Sequence, residues 1–549
     1  DWLAGSWPKA GPFFRPPLYT WFVGAVYAVF GPEPGAVKLV QSALGAVTSA
    51  LVWAIARELS LAPAVALLAA ALWAFCGIAI YFDAQLLPGS LDAFLQTALV
   101  WRLLVAGRTR RAWAFGLAGV LVGLCALHRG GVLLLLPLLL YWIYRLPRWT
   151  APADTTRGSR TRFARAALAL LIPAALVIAP VSWRNAAYDV PQDGRAGPLE
   201  TLARVATGRF VTIAETSAVN LRLGNAPVLR ELNDVTHPDH FAVWNRLVWE
   251  PYQQGIRSVS EANRWVFRRT LREIAEQPEA WLGLVVEKAL AFVNGAEIPR
   301  NTSIYPDRAH SRVLRALLWK HAVAFPSGLV IPFALAGIWL LRRSFRQHFV
   351  PFGCLAAQGA FVVAFFVTAR YRLPSLALLS IYAAHAAVAL VRLVRARRRA
   401  DWLRLSLGLA LLMGLSNHRI GPMPKDHWPV EHYDLAMAHL AHHQPREAET
   451  QLRAALALDP EARHANAELC KLLVEVGRPP EALPSCQRAV AADPGSAELH
   501  ERLGTSLEAA GRRGEAIAHY RQALRLEPGR ATAAEAIARA LARNAERDR

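Results

Sequence analysis

Ten apolar runs, each near the length that crosses about 30 Å of hydrocarbon, constrain this chain more than anything else in it. They occupy residues 36–56, 63–82, 86–105, 112–127, 130–145, 163–183, 325–342, 348–368, 373–394 and 402–416, and several are only marginally long. With 54% hydrophobic residues, 19% charged residues and a mean hydropathy of +0.23 over 549 residues, the chain is too apolar for an ordinary soluble domain. A polytopic helical membrane domain is the expected architecture. The shorter run Leu18 to Phe30 follows Arg15-Pro16-Pro17 and stops at Gly31-Pro32-Glu33-Pro34. It reads as an interfacial or re-entrant helix and stays outside the span count.

The formal charge of +21 would suit a nucleic-acid partner if it were gathered on one soluble surface. It is not gathered there. Residues 430–549 hold 16 Arg/Lys against 18 Asp/Glu, so the first 429 carry +23. Alternate short loops between the apolar runs contain 20 Arg against Glu58, Asp154 and Asp401. Arginine concentrated in alternate loops is the cytoplasmic bias of a membrane protein, and no nucleic acid is expected as a partner. The opposite loops, around Asp83, His128-Arg129 and Arg370-Tyr371-Arg372, then face outward with the long stretch 184–324. The basic residues are 56 Arg and 6 Lys, a usage resembling that of a GC-rich bacterium. Five cysteines form neither a C-x-x-C nor a zinc spacing, which excludes a disulfide-rich scaffold.

Beyond Ser416 the hydrophobicity ends, and a linker containing Gly421-Pro422-Met423-Pro424 leads into a strict internal period. Asp459-Pro460, Asp493-Pro494 and Glu527-Pro528 recur every 34 residues, as do Glu447-Ala448, Glu481-Ala482 and Glu515-Ala516. This is the tetratricopeptide period: three helix-turn-helix units and a closing helix from about Ala531 to Arg543. Ala436, Cys470 and Gly504 fall where the two helices of a repeat approach each other, and Tyr520 falls at its usual packing position. Cys470 and Cys486 lie on facing helices of the middle repeat. They read as two small core residues, which outside a reducing compartment could oxidise.

The expected fold class is thus all-α, a membrane domain plus a tetratricopeptide solenoid. Its divisions are 1–35, 36–183 (spans), 184–324 (outer loop domain), 325–416 (spans), 417–429 (linker) and 430–549 (repeats). The outward-facing residues add a resemblance. Pro12-Phe13-Phe14-Arg15-Pro16-Pro17-Leu18-Tyr19, Tyr81-Phe82-Asp83-Ala84-Gln85-Leu86-Leu87 and Leu223-Gly224-Asn225-Ala226-Pro227 are three of its segments. Glu287-Lys288-Ala289 with Asn294 to Asn301, and Ala369-Arg370-Tyr371-Arg372-Leu373-Pro374, are the others. Taken in order over residues 1–395, they resemble GT-C membrane glycosyltransferases, the bacterial relatives of protein O-mannosyltransferases and of the lipid A aminoarabinose transferase.

The resemblance implies transfer of a sugar from a polyprenyl-phosphate donor to an acceptor hydroxyl on the periplasmic face of a bacterial inner membrane. The acceptor, whether lipid, glycan or protein, stays open. Such a reaction needs a carboxylate to take the acceptor proton and cations to hold the departing phosphate. Asp83 matches a secondary acidic position of the family and is the catalytic candidate. The usual family acid precedes the Pro-Pro-Leu-Tyr helix, and the run at Asp1-Trp2 reads as a later part of that loop, which places the acid upstream. Arg15 and Tyr19 match the donor side of the site. Arg370, Tyr371 and Arg372 are expected to bind substrate phosphate, with interfacial arginines as the alternative. His128 and Arg129 are either site residues or an interfacial turn. Glu297 is either a site carboxylate or a helix-end cap. Asp92, within a span, is expected as a buried partner. Asn301-Thr302-Ser303 reads as a glycosylation sequon and is assigned no role.

No metal site and no cofactor are expected. The repeats are expected to bind a protein partner or the acceptor. A non-catalytic membrane scaffold with a docking domain, and an O-antigen ligase or polymerase, are the alternatives. The Pro-Pro-Leu-Tyr and Arg-Tyr-Arg-Leu-Pro segments fit the ligase poorly.

Overall fold

The computed structural model describes residues 13, 15–150, 159–189, 196–208, 213, 217–229, 240–298, 304–305, 308, 311–320, 322–418 and 428–547. The expectations that rest on Asp1-Trp2, on Asn301-Thr302-Ser303 and on the linker from 419 to 427 lie outside the described residues. The chain divides into two compact units, Asp1–Pro424 and Lys425–Arg549.

In the first unit every apolar run folds as helix. Helices α1 (Leu18–Phe30), α2 (Pro34–Glu58), α3 (Pro63–Ala74), α4 (Gly77–Asp83), α5 (Gly89–Thr109), α6 (Ala112–His128), α7 (Leu136–Thr150) and α8 (Ser159–Tyr188) come first. The outer loop folds as α9 (Pro198–Ala206), α10 (Ser217–Asn225), α11 (His240–Gln253), α12 (Val259–Glu276), α13 (Pro278–Val293) and α14 (Arg312–Leu317). Helices α15 (Ser327–Leu340), α16 (Phe345–Ala364), α17 (Ala369–Arg395) and α18 (Arg399–Asn417) complete the unit. A two-stranded ribbon, Trp319–Lys320 against Ala324–Phe325, is the one departure from all-α structure among the described residues.

Among the described residues four helices are long and apolar enough to cross a membrane: α2, α8, α17 and the helical stretch Arg342–Ala364. A fifth results if α3 and α4, bent by 51° at their break, count as one span. The other candidate runs, several of them marginal in length, fall outside that set for physical reasons. Helices α6 and α15 have 17 and 14 residues, and at about 1.5 Å per residue both fall short of the hydrocarbon thickness. Helices α5 and α18 are longer but carry Asp92, Arg102 and Arg108, and Arg399, Asp401 and Arg404 respectively. The chain remains a multi-pass membrane protein built around α17, which is buried almost continuously from Leu373 to Ala384. Gly337 lets α15 close on α17, since a Cβ there would sit 2.0 Å from the Tyr382 carbonyl oxygen. Helices α8 and α18 lie at the periphery and expose Leu168, Ile172, Leu176, Leu407, Leu411 and Leu415.

The outer helices are held together by buried charge. Arg222 on α10 reaches Glu273 of α12 at 2.7 Å and Glu250 of α11 at 2.6 Å, and Arg269 closes the ring by pairing with both acids. Lys288 on α13 donates to the Gly224 carbonyl at 2.8 Å and to Asn225 Oδ1 at 3.2 Å, which gives the Leu-Gly-Asn-Ala-Pro segment a structural duty. Burial pushes the Lys288 ammonium down to about 8.

The second unit is three helical hairpins and a closing helix. These are α19 (Trp428–Ala441) with α20 (Pro445–Leu458), α21 (Arg463–Glu475) with α22 (Pro479–Ala492), α23 (Ala497–Ala509) with α24 (Arg513–Leu526), and α25 (Ala531–Arg547). Its core follows the 34-residue register: Ala436, Cys470 and Gly504 are buried, as are Ala455, Ala489 and Ala523. Tyr520 is buried against Gly504 and donates to Glu508 at 3.1 Å. Arg478 bridges Glu449 of one repeat to Glu481 of the next.

Cys470 and Cys486 are joined as a disulfide. They are therefore more than the two small core residues that their spacing suggests. The bond closes a loop with a sequence separation of 16. Loops of that size contribute about 3 kcal/mol through the unfolded state. Replacing both cysteines with serine is expected to lower the melting midpoint of the repeats by several degrees, followed by circular dichroism on the purified chain. Reductant added to the unaltered protein should reproduce the drop.

Candidate functional site

The break after α4 creates the site. Helix α4 ends at Asp83 and the chain turns through Ala84 to Pro88 before α5 begins, leaving carbonyls at a helix C-terminus without intrahelical partners. Gln41 of α2, fully buried, donates to the Asp83 carbonyl at 3.0 Å and to the Gln85 carbonyl at 2.7 Å. Its own oxygen accepts from the Tyr19 hydroxyl at 2.9 Å. The Asp83 carboxylate lies over Gly45, one turn along α2, where an added Cβ would come within 2.3 Å of Oδ2. Ser90, at the start of α5, faces the same carboxylate. Upstream, the Phe13 amide donates to Asn185 Oδ1 at 3.0 Å and the Arg184 guanidinium lies 4.1 Å from the Phe13 ring centre, so the approach to α1 is moored to the end of α8. Arg15 follows it and is exposed.

The first turn of α5 places Asp92 inside the protein, and the end of α6 brings His128 and Arg129 to it. Arg129 Nη1 is 2.7 Å from Asp92 Oδ2. Gln96 donates to Asp92 Oδ1 at 2.8 Å, and His128 Nε2 lies 3.1 Å from the Pro88 carbonyl and 4.0 Å from Asp92 Oδ1. Asp92 is thus the buried partner of Arg129. Helix α17 enters the same place. Thr368 caps it by accepting from the Tyr371 amide at 3.4 Å. The Tyr371 ring then takes Arg129 on one side at 4.1 Å and Arg370 at 5.2 Å from its centre. Arg370 is also within electrostatic range of Tyr19 and of His128. Four stretches remote in sequence therefore deliver Tyr19, Asp83, His128, Arg129, Arg370 and Tyr371 to one locality.

His128 Nδ1, Arg370 Nε and Ser375 Oγ are buried and make no hydrogen bond. Buried polar atoms in native proteins nearly always have partners, so this concentration marks a place that a polar ligand or water completes. Beside it a narrow cleft runs between α5, α16 and α17. Gln96, Gln358 and Ser375 stand among its walls, with Leu99, Val132 and Leu378 as apolar lining. Gln96 is tied to Asp92, and Gln358 donates to the Tyr371 carbonyl at 3.1 Å. The arrangement gathers two guanidinium groups around the Tyr371 ring, one of them paired with Asp92, with a small apolar slot nearby. Among the described residues no group of three His, Cys, Asp or Glu side chains is placed to hold a metal.

Arg372, expected to bind phosphate or to sit at the interface, and Glu297, expected as a site carboxylate or a helix-end cap, face each other. Both side chains are sealed from solvent and bound to each other at 2.8 Å. The Arg372 fork also donates to the carbonyls of Asn294 at 2.5 Å and Ala296 at 2.6 Å, while Glu297 accepts from Ser327. Both terminal nitrogens of the guanidinium are thus engaged by protein acceptors. Sequence reasoning also passed over Gln41, a lone amide on an apolar helix. The signal was available: a glutamine in the middle of a span needs partners.

Residues 14–183 match the family model described as dolichyl-phosphate-mannose-protein mannosyltransferase. Residues 433–497 and 497–530 match two tetratricopeptide repeat models. No curated protein sequence matches the chain. Among solved structures, the Archaeoglobus fulgidus oligosaccharyltransferase tethered to an acceptor peptide with an NVT sequon aligns at 14% identity and a TM-score of 0.38, over 81% of this chain and 51% of its own. The same organism's oligosaccharyltransferase AglB with an inhibitory peptide and dolichol-phosphate aligns at 15% and 0.38, over 79% and 50%. The chain thus spans about half the length of these enzymes. The tetratricopeptide protein YrrB aligns at 15% and 0.18, over 38% of this chain and 91% of its own. Residues 14–183 are accordingly similar to the dolichyl-phosphate-mannose-protein mannosyltransferase family, a GT-C-type domain, and residues 433–530 carry tetratricopeptide repeats.

Proposed function

We propose that the chain is a glycosyltransferase that moves a sugar from a polyprenyl-phosphate carrier to an acceptor hydroxyl at the periplasmic face of a bacterial inner membrane. The observation that carries this reading is the placement of Arg129 and Arg370 around the Tyr371 ring, with Asp92 and His128 beside them and buried polar atoms that make no hydrogen bond close to an apolar cleft. In the proposed step Asp83 takes the proton of the acceptor hydroxyl as its oxygen bonds to the anomeric carbon. The bond from that carbon to the phosphate oxygen breaks, and its electron pair leaves with the polyprenyl phosphate. Asp92 neutralises one of the two guanidinium groups, so the Arg129–Arg370 pair keeps one net positive charge for the departing phosphate. Tyr371 holds the two cations apart on its ring, and Tyr19 lines the approach. The reading includes no cofactor or metal.

Arginine in alternate short loops supports the periplasmic placement of the outer helices. The Cys470–Cys486 disulfide supports an oxidising compartment for the repeats, which we assign to recruitment of a protein partner or the acceptor. The test is reconstitution in proteoliposomes with undecaprenyl-phosphate-linked hexoses and pentoses, reading the release of undecaprenyl phosphate. Release by the unaltered chain and a loss of about a hundredfold in Arg370→Ala, with membrane insertion intact, are expected. A chain that turns over none of these donors while folded would instead support the scaffold.

A further inference from the structure

Gln41 uses both of its amide protons and its oxygen at once. Its amide nitrogen donates both protons, one to the Asp83 carbonyl at 3.0 Å and one to the Gln85 carbonyl at 2.7 Å. Since only the nitrogen can face two carbonyls, the orientation of the amide is settled, and its oxygen must point at Tyr19. The Tyr19 hydroxyl, 2.9 Å away, therefore gives its proton to Gln41 and meets the site as an acceptor. The same residue ties down the turn that carries Asp83, while Gly45 leaves room for the carboxylate against α2.

We infer that Gln41 is a positioning residue that sets the direction of the Asp83 carboxylate and commits the Tyr19 proton. This rests on the site reading above for its consequence in turnover, but not for its geometry. Near-attack alignment is steeply sensitive to placement, and a misplacement of about 1 Å costs on the order of a hundredfold in rate. Leucine at position 41 has a similar volume, fills the same apolar face and offers neither donor nor acceptor.

The experiment places 3-fluorotyrosine at position 19 in the full chain and records its fluorine resonance with and without Gln41→Leu. The expected result is a shifted and broadened resonance in the variant. An unchanged resonance overturns the inference, whatever the enzyme does. In parallel, release of undecaprenyl phosphate from undecaprenyl-phosphate-mannose is followed for Gln41→Leu, Gly45→Ala, Asp83→Asn and the Gln41→Leu/Asp83→Asn pair. Gln41→Leu is expected to lower kcat by ten- to a hundredfold with KM for the lipid donor little changed. On top of Asp83→Asn it should add nothing, because it acts through that carboxylate. Full kcat in Gln41→Leu beside a dead Asp83→Asn would overturn the positioning role alone. Unimpaired transfer by Asp83→Asn would overturn the site reading and leave the fluorine result to decide the role of Gln41.

Discussion

Arg372→Ala will cost the membrane unit most of its stability in detergent, more than any other single substitution considered for this chain. The substitution withdraws a bidentate donor from the carbonyls of Asn294 and Ala296 and leaves the Glu297 carboxylate buried beside Ser327 without its counter-charge. Breaking a buried ion pair by removing one member costs about 3–5 kcal/mol, because the other charge stays desolvated. Arg372→Lys will recover only part of the loss, since an ammonium cannot span both carbonyls and the carboxylate in one plane. Glu297→Gln should be milder, as it removes the charge and keeps an acceptor. The measurement is the temperature at which the detergent-solubilised chain leaves its monodisperse gel-filtration peak. An Arg372→Ala variant that melts with the unaltered protein would show that this pair does not pin the outer loop to α17.

Asp83→Asn is expected to reduce sugar transfer by about a hundred- to ten-thousandfold, the range that a positioned general base contributes. Asparagine keeps the shape over Gly45 and beside Ser90 but cannot accept the acceptor's proton as a base. The fold and the affinity for undecaprenyl phosphate should survive, because the carbonyl that Gln41 holds belongs to the backbone. Transfer at the unaltered rate would remove Asp83 from the catalytic role and move the search to another carboxylate.

The gross architecture was legible before any coordinate. Apolar runs gave the helices, and the 34-residue period gave the three hairpins and their buried Ala436, Cys470 and Gly504. Span count was less legible, because hydropathy does not reveal where a helix breaks. The run 63–82 reads as one span, yet it bends by 51° between α3 and α4. For the candidate site, sequence position offered Asp83, Arg370 and Tyr371 as expectations and treated Arg370 and Arg372 alike. Two residues apart on a helix point roughly 200° away from each other, so one arginine reached the site and the other the interior. Gln41 stayed unread because its duty is to three groups far from it in sequence.

The end of α18 has a mechanical consequence. Gly295 donates its amide to the Ser416 carbonyl at 2.7 Å, Asn294 donates to the His418 carbonyl at 2.9 Å, and Asn417 binds the Ala324 amide and the Gly328 carbonyl. These bonds form a mooring at the last described residues before the repeats. The end of α18 is thereby stapled to the segment whose Asn294 and Ala296 carbonyls Arg372 grips and to the start of α15, so that α13, α15, α17 and α18 share one junction.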